Sequence, residues 1–181
     1  MAFAIELALD ETSAAPVRAL WRRLAEAGIR FMADSGADPH LSLVIWDWLD
    51  VPRAAGEVAA LAAITVPLTL TFTHVAAFGA EVVYLAPAPS APLAELQAQV
   101  HARFAPLGDG GWPHYAPATW VPHCTLAMDL GSVTAATALA LASSLTVPLP
   151  ARLVRMAVVE FRPVRERFAR PLTGRDGVPR P

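Results

Sequence analysis

Two pentapeptides of this chain, Pro39-His40-Leu41-Ser42-Leu43 and Pro122-His123-Cys124-Thr125-Leu126, obey one pattern, P-H-x-[S/T]-L. Both are composed of residues that suit an extended strand, where positions i and i+2 share a face. His40 then lies beside Ser42, and His123 beside Thr125. Leu41, Leu43, Cys124 and Leu126 point the other way, into a core. A motif that occurs once in each half of the chain constrains the fold to two similar halves, each presenting an imidazole and a hydroxyl.

The rest of the sequence repeats the same grammar of strand and helix. Phe3, Ile5, Leu7 and Leu9 alternate with smaller or charged residues and predict a strand with one face in a core. Thr12 or Ser13 is expected to cap a helix running to about Ala27, with Gly28 beyond its end. A strand at His40 to Trp46, a helix from Pro52 to Ala63 and strands at Leu68 to Phe78 and Glu81 to Ala86 follow. Pro87 to Pro92 forms a joint before a helix from Leu93 to Phe104. In the second half a loop rich in Gly, Pro and aromatics (Gly108 to Pro122) leads to a strand at His123 to Met128 and a helix from Val133 to Ser143. Strands are then predicted at Leu145 to Leu149, at Leu153 to Phe161 and near Phe168, with a loose tail after about residue 174. The class is α+β: one domain over residues 1–181, in two lobes whose sheets face each other or join.

Composition narrows the function. The chain has 181 residues, 55% hydrophobic and 17% charged, which excludes disorder for most of its length. A net charge of −2 offers no field for coating long nucleic acid. All 14 basic residues are arginine, so lysine chemistry, including Schiff bases and covalent adenylation, is excluded. The lone Cys124 rules out a disulfide framework and fits a reducing compartment, with the cytoplasm as the expected location. Glu6 and Asp10 interrupt the opening residues, so no export signal is expected. The stretches Val58 to Ala80 and Leu130 to Ala151 lack Asp, Glu and Arg, but Pro and strand-like alternation argue against membrane spans. No phosphate-binding glycine loop, nucleophile elbow or H-E-x-x-H zinc motif occurs.

Two imidazoles and two hydroxyls gathered around one point suit an anionic phosphodiester. One imidazole must be neutral to accept a proton from the attacking oxygen, and the other protonated to supply the leaving oxygen. Ser42 and Thr125 would hydrogen-bond the non-bridging oxygens. The scheme needs no metal and no cofactor. Spacing alone does not say which histidine is the base.

On these motifs the chain resembles the 2H phosphoesterase superfamily, the RNA 2′-5′ ligase-like and cyclic phosphodiesterase proteins, whose signature is H-x-[ST]-x twice. His40-Leu41-Ser42-Leu43 and His123-Cys124-Thr125-Leu126 fill both signatures, and the order of elements agrees over nearly the whole chain. The resemblance implies a bilobal, pseudo-twofold fold with both motifs in a central cleft. It implies an enzyme that opens 2′,3′-cyclic phosphates, or related 2′-5′ phosphodiesters, of RNA ends or small nucleotides. The chain departs from many ligase-like relatives in having Ala127-Met128-Asp129, not an arginine, just after the second motif.

Other readings compete at each residue. His40 and His123 are alternatively core histidines satisfied by carbonyls, or metal ligands needing a third partner such as His114 or Asp129. His74 and His101 read as ordinary edge and surface residues, and Cys124 as a core thiol. Among Trp112, His114, Tyr115 and Trp120, the candidates for stacking a nucleobase are Tyr115 and Trp120. Of Arg162, Arg165, Arg167 and Arg170 on the last hairpin, Arg167 is the candidate phosphate ligand. The competing function is a non-catalytic module that grips a phosphorylated RNA end or nucleotide.

Overall fold

The computed structural model describes residues 1–174; the tail expected to be loose lies outside the described residues. Eight strands form one antiparallel sheet: β1 (Ala2–Leu9), β2 (His40–Leu49), β3 (Leu68–Phe78), β4 (Val82–Pro87), β5 (Gly108–Gly111), β6 (Cys124–Ala127), β7 (Leu149–Phe161) and β8 (Arg165–Pro171). Helices α1 (Glu11–Glu26), α2 (Phe31–Asp34), α3 (Val51–Ile64), α4 (Ala91–Phe104) and α5 (Ser132–Ala142) connect them. The spatial order is β5-β2-β1-β7-β3-β4-β6, with β8 also on β7. The two halves therefore join through one strand. β7 pairs with β1 from Leu153 to Phe161 and with β3 from Leu149 to Leu153, while β8 pairs with it from Arg155 to Glu160.

The helices cover one face. Val17, Leu20, Trp21 and Leu24 of α1 and Leu93, Leu96, Val100 and Phe104 of α4 pack against Ile5, Leu7, Leu41, Leu43, Leu126 and Leu153 in the main core. The burial of Leu41, Leu43, Cys124 and Leu126 is complete, as the alternation of the motif strands predicts. The opposite face of β1 is covered too: Ala2 and Ala4 meet Ile45, with Tyr115 and Phe161 against them, so the strand is sandwiched and not half-exposed.

Several boundaries differ from the expectations for local physical reasons. Asp10, not Thr12 or Ser13, caps α1, because its carboxylate accepts from the Ser13 N–H at 2.9 Å. Ser13 instead faces inward, where its hydroxyl accepts from the Arg152 N–H. Leu145 to Val147 form no strand; the chain turns there, and β7 runs unbroken from Leu149 through Pro150. The glycine-rich segment at 108–111, read as loop, pairs with β2 at Trp46, Trp48 and Leu49. Gly108 is required there, since a Cβ would stand 2.7 Å from the Trp46 ring. The four-residue α2 was too short to show a helical period. No helix among the described residues is long and apolar enough to cross a membrane.

Because Leu153 is fully buried in the strand that both halves share, Leu153→Ala is expected to lower unfolding free energy by about 3 kcal/mol in urea titration. Val133→Ala on the exposed face of α5 should stay within about 0.5 kcal/mol of the parent.

Candidate active site

The two motifs are built alike to the level of backbone register. On β1 the consecutive residues Ile5 and Glu6 pair with Val44 and Ser42, so Leu43 is an extra residue on β2. On β4 the consecutive residues Val83 and Tyr84 pair with Ala127 and Thr125, so Leu126 is an extra residue on β6. The final leucine of each pentapeptide is thus a β-bulge, a device that bends a strand and re-aims its side chains beside a site. The bulges leave carbonyls to be satisfied, and buried or half-buried side chains do so. Trp120 Nε1–H donates to the Ser42 carbonyl at 3.1 Å, and Trp21 Nε1–H to the Thr125 carbonyl at 3.2 Å. The amide of Gln97, buried on α4, donates to the Leu43 carbonyl at 3.1 Å and to the Tyr115 carbonyl at 2.8 Å.

Each imidazole is anchored the same way. Nδ1–H of His40 donates to the Asp38 carbonyl at 2.7 Å, and Nδ1–H of His123 donates to the Val121 carbonyl at 2.7 Å. A carbonyl can only accept, so both Nδ1 atoms carry hydrogen and both Nε2 atoms are left for chemistry. His40, Ser42, His123 and Thr125 all line one cavity of about 940 Å³. Its walls are largely apolar and include Phe31, Phe78, Trp112, Tyr115 and Phe161.

The surroundings of the two histidines differ sharply. His123 sits among rings, with Phe78 at 5.1 Å, Tyr84 at 5.4 Å and Tyr115 at 6.4 Å between centroids. Burial there pushes its imidazole below the ordinary histidine range, against the hydrogen bond to Val121; the neighbouring His40 lowers it further. His40 instead has a carboxylate beside it: Glu6 Oε1 lies 3.4 Å from its Nε2. Burial raises the Glu6 carboxyl above the usual carboxylate range, opposed by the charges of His40 and Arg155 and by a hydrogen bond from the Ser42 hydroxyl.

The remaining candidates separate. Tyr115 lines the cavity, its phenol pushed up to about 12 by burial and by the charge of Glu6. Trp120 is not among the lining residues; its indole holds the first motif from behind. Arg167 also lies off the cavity, where it is the extra residue of a bulge on β8 and pairs with Glu160 at 2.8 Å. The arginine of that hairpin which does reach the cavity is Arg162, bound to Asp129 at 3.0 Å. Both of these residues hold left-handed backbone, φ 68° and 57°, a strained state for non-glycine residues that clusters at functional sites. His74 bonds Thr73 and His101 packs near Trp46, both away from the cavity, whereas His114 lines it.

Glu6, Gln97 and Arg162 were not singled out as site residues from sequence. Glu6 had a signal, as the one charged residue in the eight of β1. Among the described residues, no three or more His, Cys, Asp or Glu side chains are grouped to hold a metal ion.

A family model described as the 2′-5′ RNA ligase superfamily matches residues 8–164. Among solved structures, TT0787 of Thermus thermophilus is 17% identical and superposes with a TM-score of 0.60, covering 96% of this chain and 99% of that one. A structure described as a phosphoesterase is 19% identical with a TM-score of 0.57, covering 95% and 98%. E. coli LigT in its apo form is 16% identical with a TM-score of 0.57, covering 94% and 96%. LigT has also been solved with 3′-AMP, where the identity is 16%, the TM-score 0.54 and the coverage again 94% and 96%. At these identities the likeness establishes the fold. No curated protein matches the chain.

Two outcomes follow from the site's construction. Trp120→Phe keeps a benzene ring but removes the pyrrole ring and its N–H, and is expected to cost at least about 1 kcal/mol in denaturant unfolding. The Cys124 thiol, pushed up to about 12 by burial, should resist a thiol-specific reagent at pH 8 in the native protein and react at once in urea.

Proposed function

The chain belongs to the 2′-5′ RNA ligase superfamily, and on that premise we propose that it is a phosphodiesterase. It opens 2′,3′-cyclic phosphates, or related 2′-5′ phosphodiesters, of RNA ends or small nucleotides by two-histidine acid–base catalysis. One observation carries this reading: both imidazoles are fixed through Nδ1 by matching hydrogen bonds to backbone carbonyls, neither Nε2 is in a hydrogen bond among the described residues, and both rings line the cavity of Ser42 and Thr125. A pair of core histidines would have no use for that matched arrangement. The 3′-AMP bound to LigT supports a nucleotide as the ligand class.

The environment divides the labour. His123, held neutral by its aromatic surroundings, takes a proton from water as the water oxygen bonds to phosphorus. His40, beside Glu6, gives a proton to the ribose oxygen as its bond to phosphorus breaks. Phosphorus keeps its charge balance, since one P–O bond forms and one breaks, and the proton lost by His40 is matched by the one gained by His123. Exchange with solvent then restores both. The Ser42 and Thr125 hydroxyls donate to the non-bridging oxygens, where charge builds in the transition state. Tyr115 and Trp112 offer faces on which a nucleobase stacks. Arg162 supplies the cavity's guanidinium, shared with Asp129.

The test is turnover of a panel of nucleoside 2′,3′-cyclic phosphates and 2′-5′-linked dinucleotides, with product separation. His40→Ala and His123→Ala should each lower kcat by at least about 10²-fold, with a bell-shaped pH profile in the parent. Retained activity in both variants overturns the mechanism, and tight binding without turnover in the parent makes the protein a phosphate-binding module.

A further inference from the structure

The duplicated scaffold makes one exception at the point of chemistry. Ser42 and Thr125 occupy equivalent positions, and so do the cross-strand residues opposite them, which are Glu6 on β1 and Tyr84 on β4. The first motif therefore has a carboxylate beneath it where the second has a phenol ring. Glu6 is also an expensive residue to place. It lines the cavity beside His40, yet its side chain is only 13% exposed. Burying a carboxylate without compensation is strongly unfavourable. Packing does not account for it, since its neighbours on the same face of the strand are Ala4 and Ala8.

We propose that Glu6 is a positioning residue that keeps the Glu6–His40 pair one proton richer than His123, so that His40 enters each turnover as the proton donor. The contact geometry suits that role. At 3.4 Å from Nε2 the carboxylate oxygen is beyond the usual 2.7–3.2 Å of a settled N–H···O bond, so it acts as a counter-charge and leaves the N–H available to an oxygen in the cavity. The Nδ1–H bond to the Asp38 carbonyl prevents the ring from turning its other nitrogen toward Glu6. Burial raises Glu6 while the charge of the adjacent imidazole lowers it, so the two groups act on each other directly.

The other groups around the pair do not replace Glu6. Arg155 of β7 is taken up by Asp38 and by Glu166 of β8. Tyr115 stays a neutral phenol. The charge of a protonated His40 lowers His123, so His123 remains the acceptor.

The inference rests on the phosphodiesterase reading for its catalytic arm only, and the first measurement is independent of turnover. Long-range ¹H–¹⁵N NMR of the imidazoles across pH 5–9 in the full chain should show His40 still as imidazolium at pH values where His123 is the neutral Nδ1–H tautomer. The reverse order overturns the proposal. In Glu6→Gln, which keeps the shape and removes the charge, His40 should lose its proton at lower pH while His123 is little changed; an unmoved His40 also overturns it. If cyclic phosphates are turned over, the alkaline limb of kcat/KM in Glu6→Gln should move to lower pH, with at least about a tenfold loss of kcat on that side and a KM no higher than the parent's. Glu6→Asp, which restores the charge, should return the limb toward its original position. A loss equal at all pH values, or a shift confined to the acid limb, refutes the role. Should nothing be turned over, the phosphodiesterase reading fails while the NMR result still decides on Glu6.

Discussion

A strand that ends at a sheet edge must find partners for its carbonyls, and the site depends on how this protein provides them. The Ser42 and Thr125 carbonyls, on the two motif strands, accept indole N–H groups, and the Leu43 carbonyl accepts the amide of Gln97. Side-chain donors fill the places a further strand would take, so β2 and β6 approach without pairing. A closed barrel would have filled the space between them. Capping the edges keeps it open as a cavity, with the histidines and hydroxyls on its wall.

Much of this was legible because strand physics is local. Alternation identified the faces of both motif strands, and burial of Leu41, Leu43, Cys124 and Leu126 follows directly. The α+β class and the order of most elements were readable for the same reason. What escaped depends on pairs distant in sequence. The bulges at Leu43 and Leu126 exist only in the register of one strand against another. Arg162 and Arg167 are five residues apart on one hairpin, and only the bulge and the turn decide that the first reaches the cavity and the second meets Glu160. Trp120 had the composition of a base-stacking residue, but its N–H is bound to a backbone oxygen. Glu6 was visible as a lone charge in an apolar strand, yet its partner lies on a different element.

Duplication and chemistry pull in opposite directions here. A pseudo-twofold scaffold yields two imidazoles with the same anchor, the same neighbouring hydroxyl and the same bulge, whereas the proposed acid–base catalysis needs them to differ. The difference is made by what stands opposite each hydroxyl, a carboxylate in one half and a phenol ring in the other, and by the rings around His123. The backbone symmetry is left intact.

The strand shared by both halves also sets the order in which the molecule can be made. Ala2 pairs with Phe161, and Leu9 with Leu153, so β1 waits for β7, which follows it in the chain after β2 to β6. Until then β1 has β2 alone beside it, and a lone hairpin is marginal in water. Neither half can be finished until β7 is in place, and the cavity with its histidines forms through long-range pairing of the slow kind that non-local contacts impose.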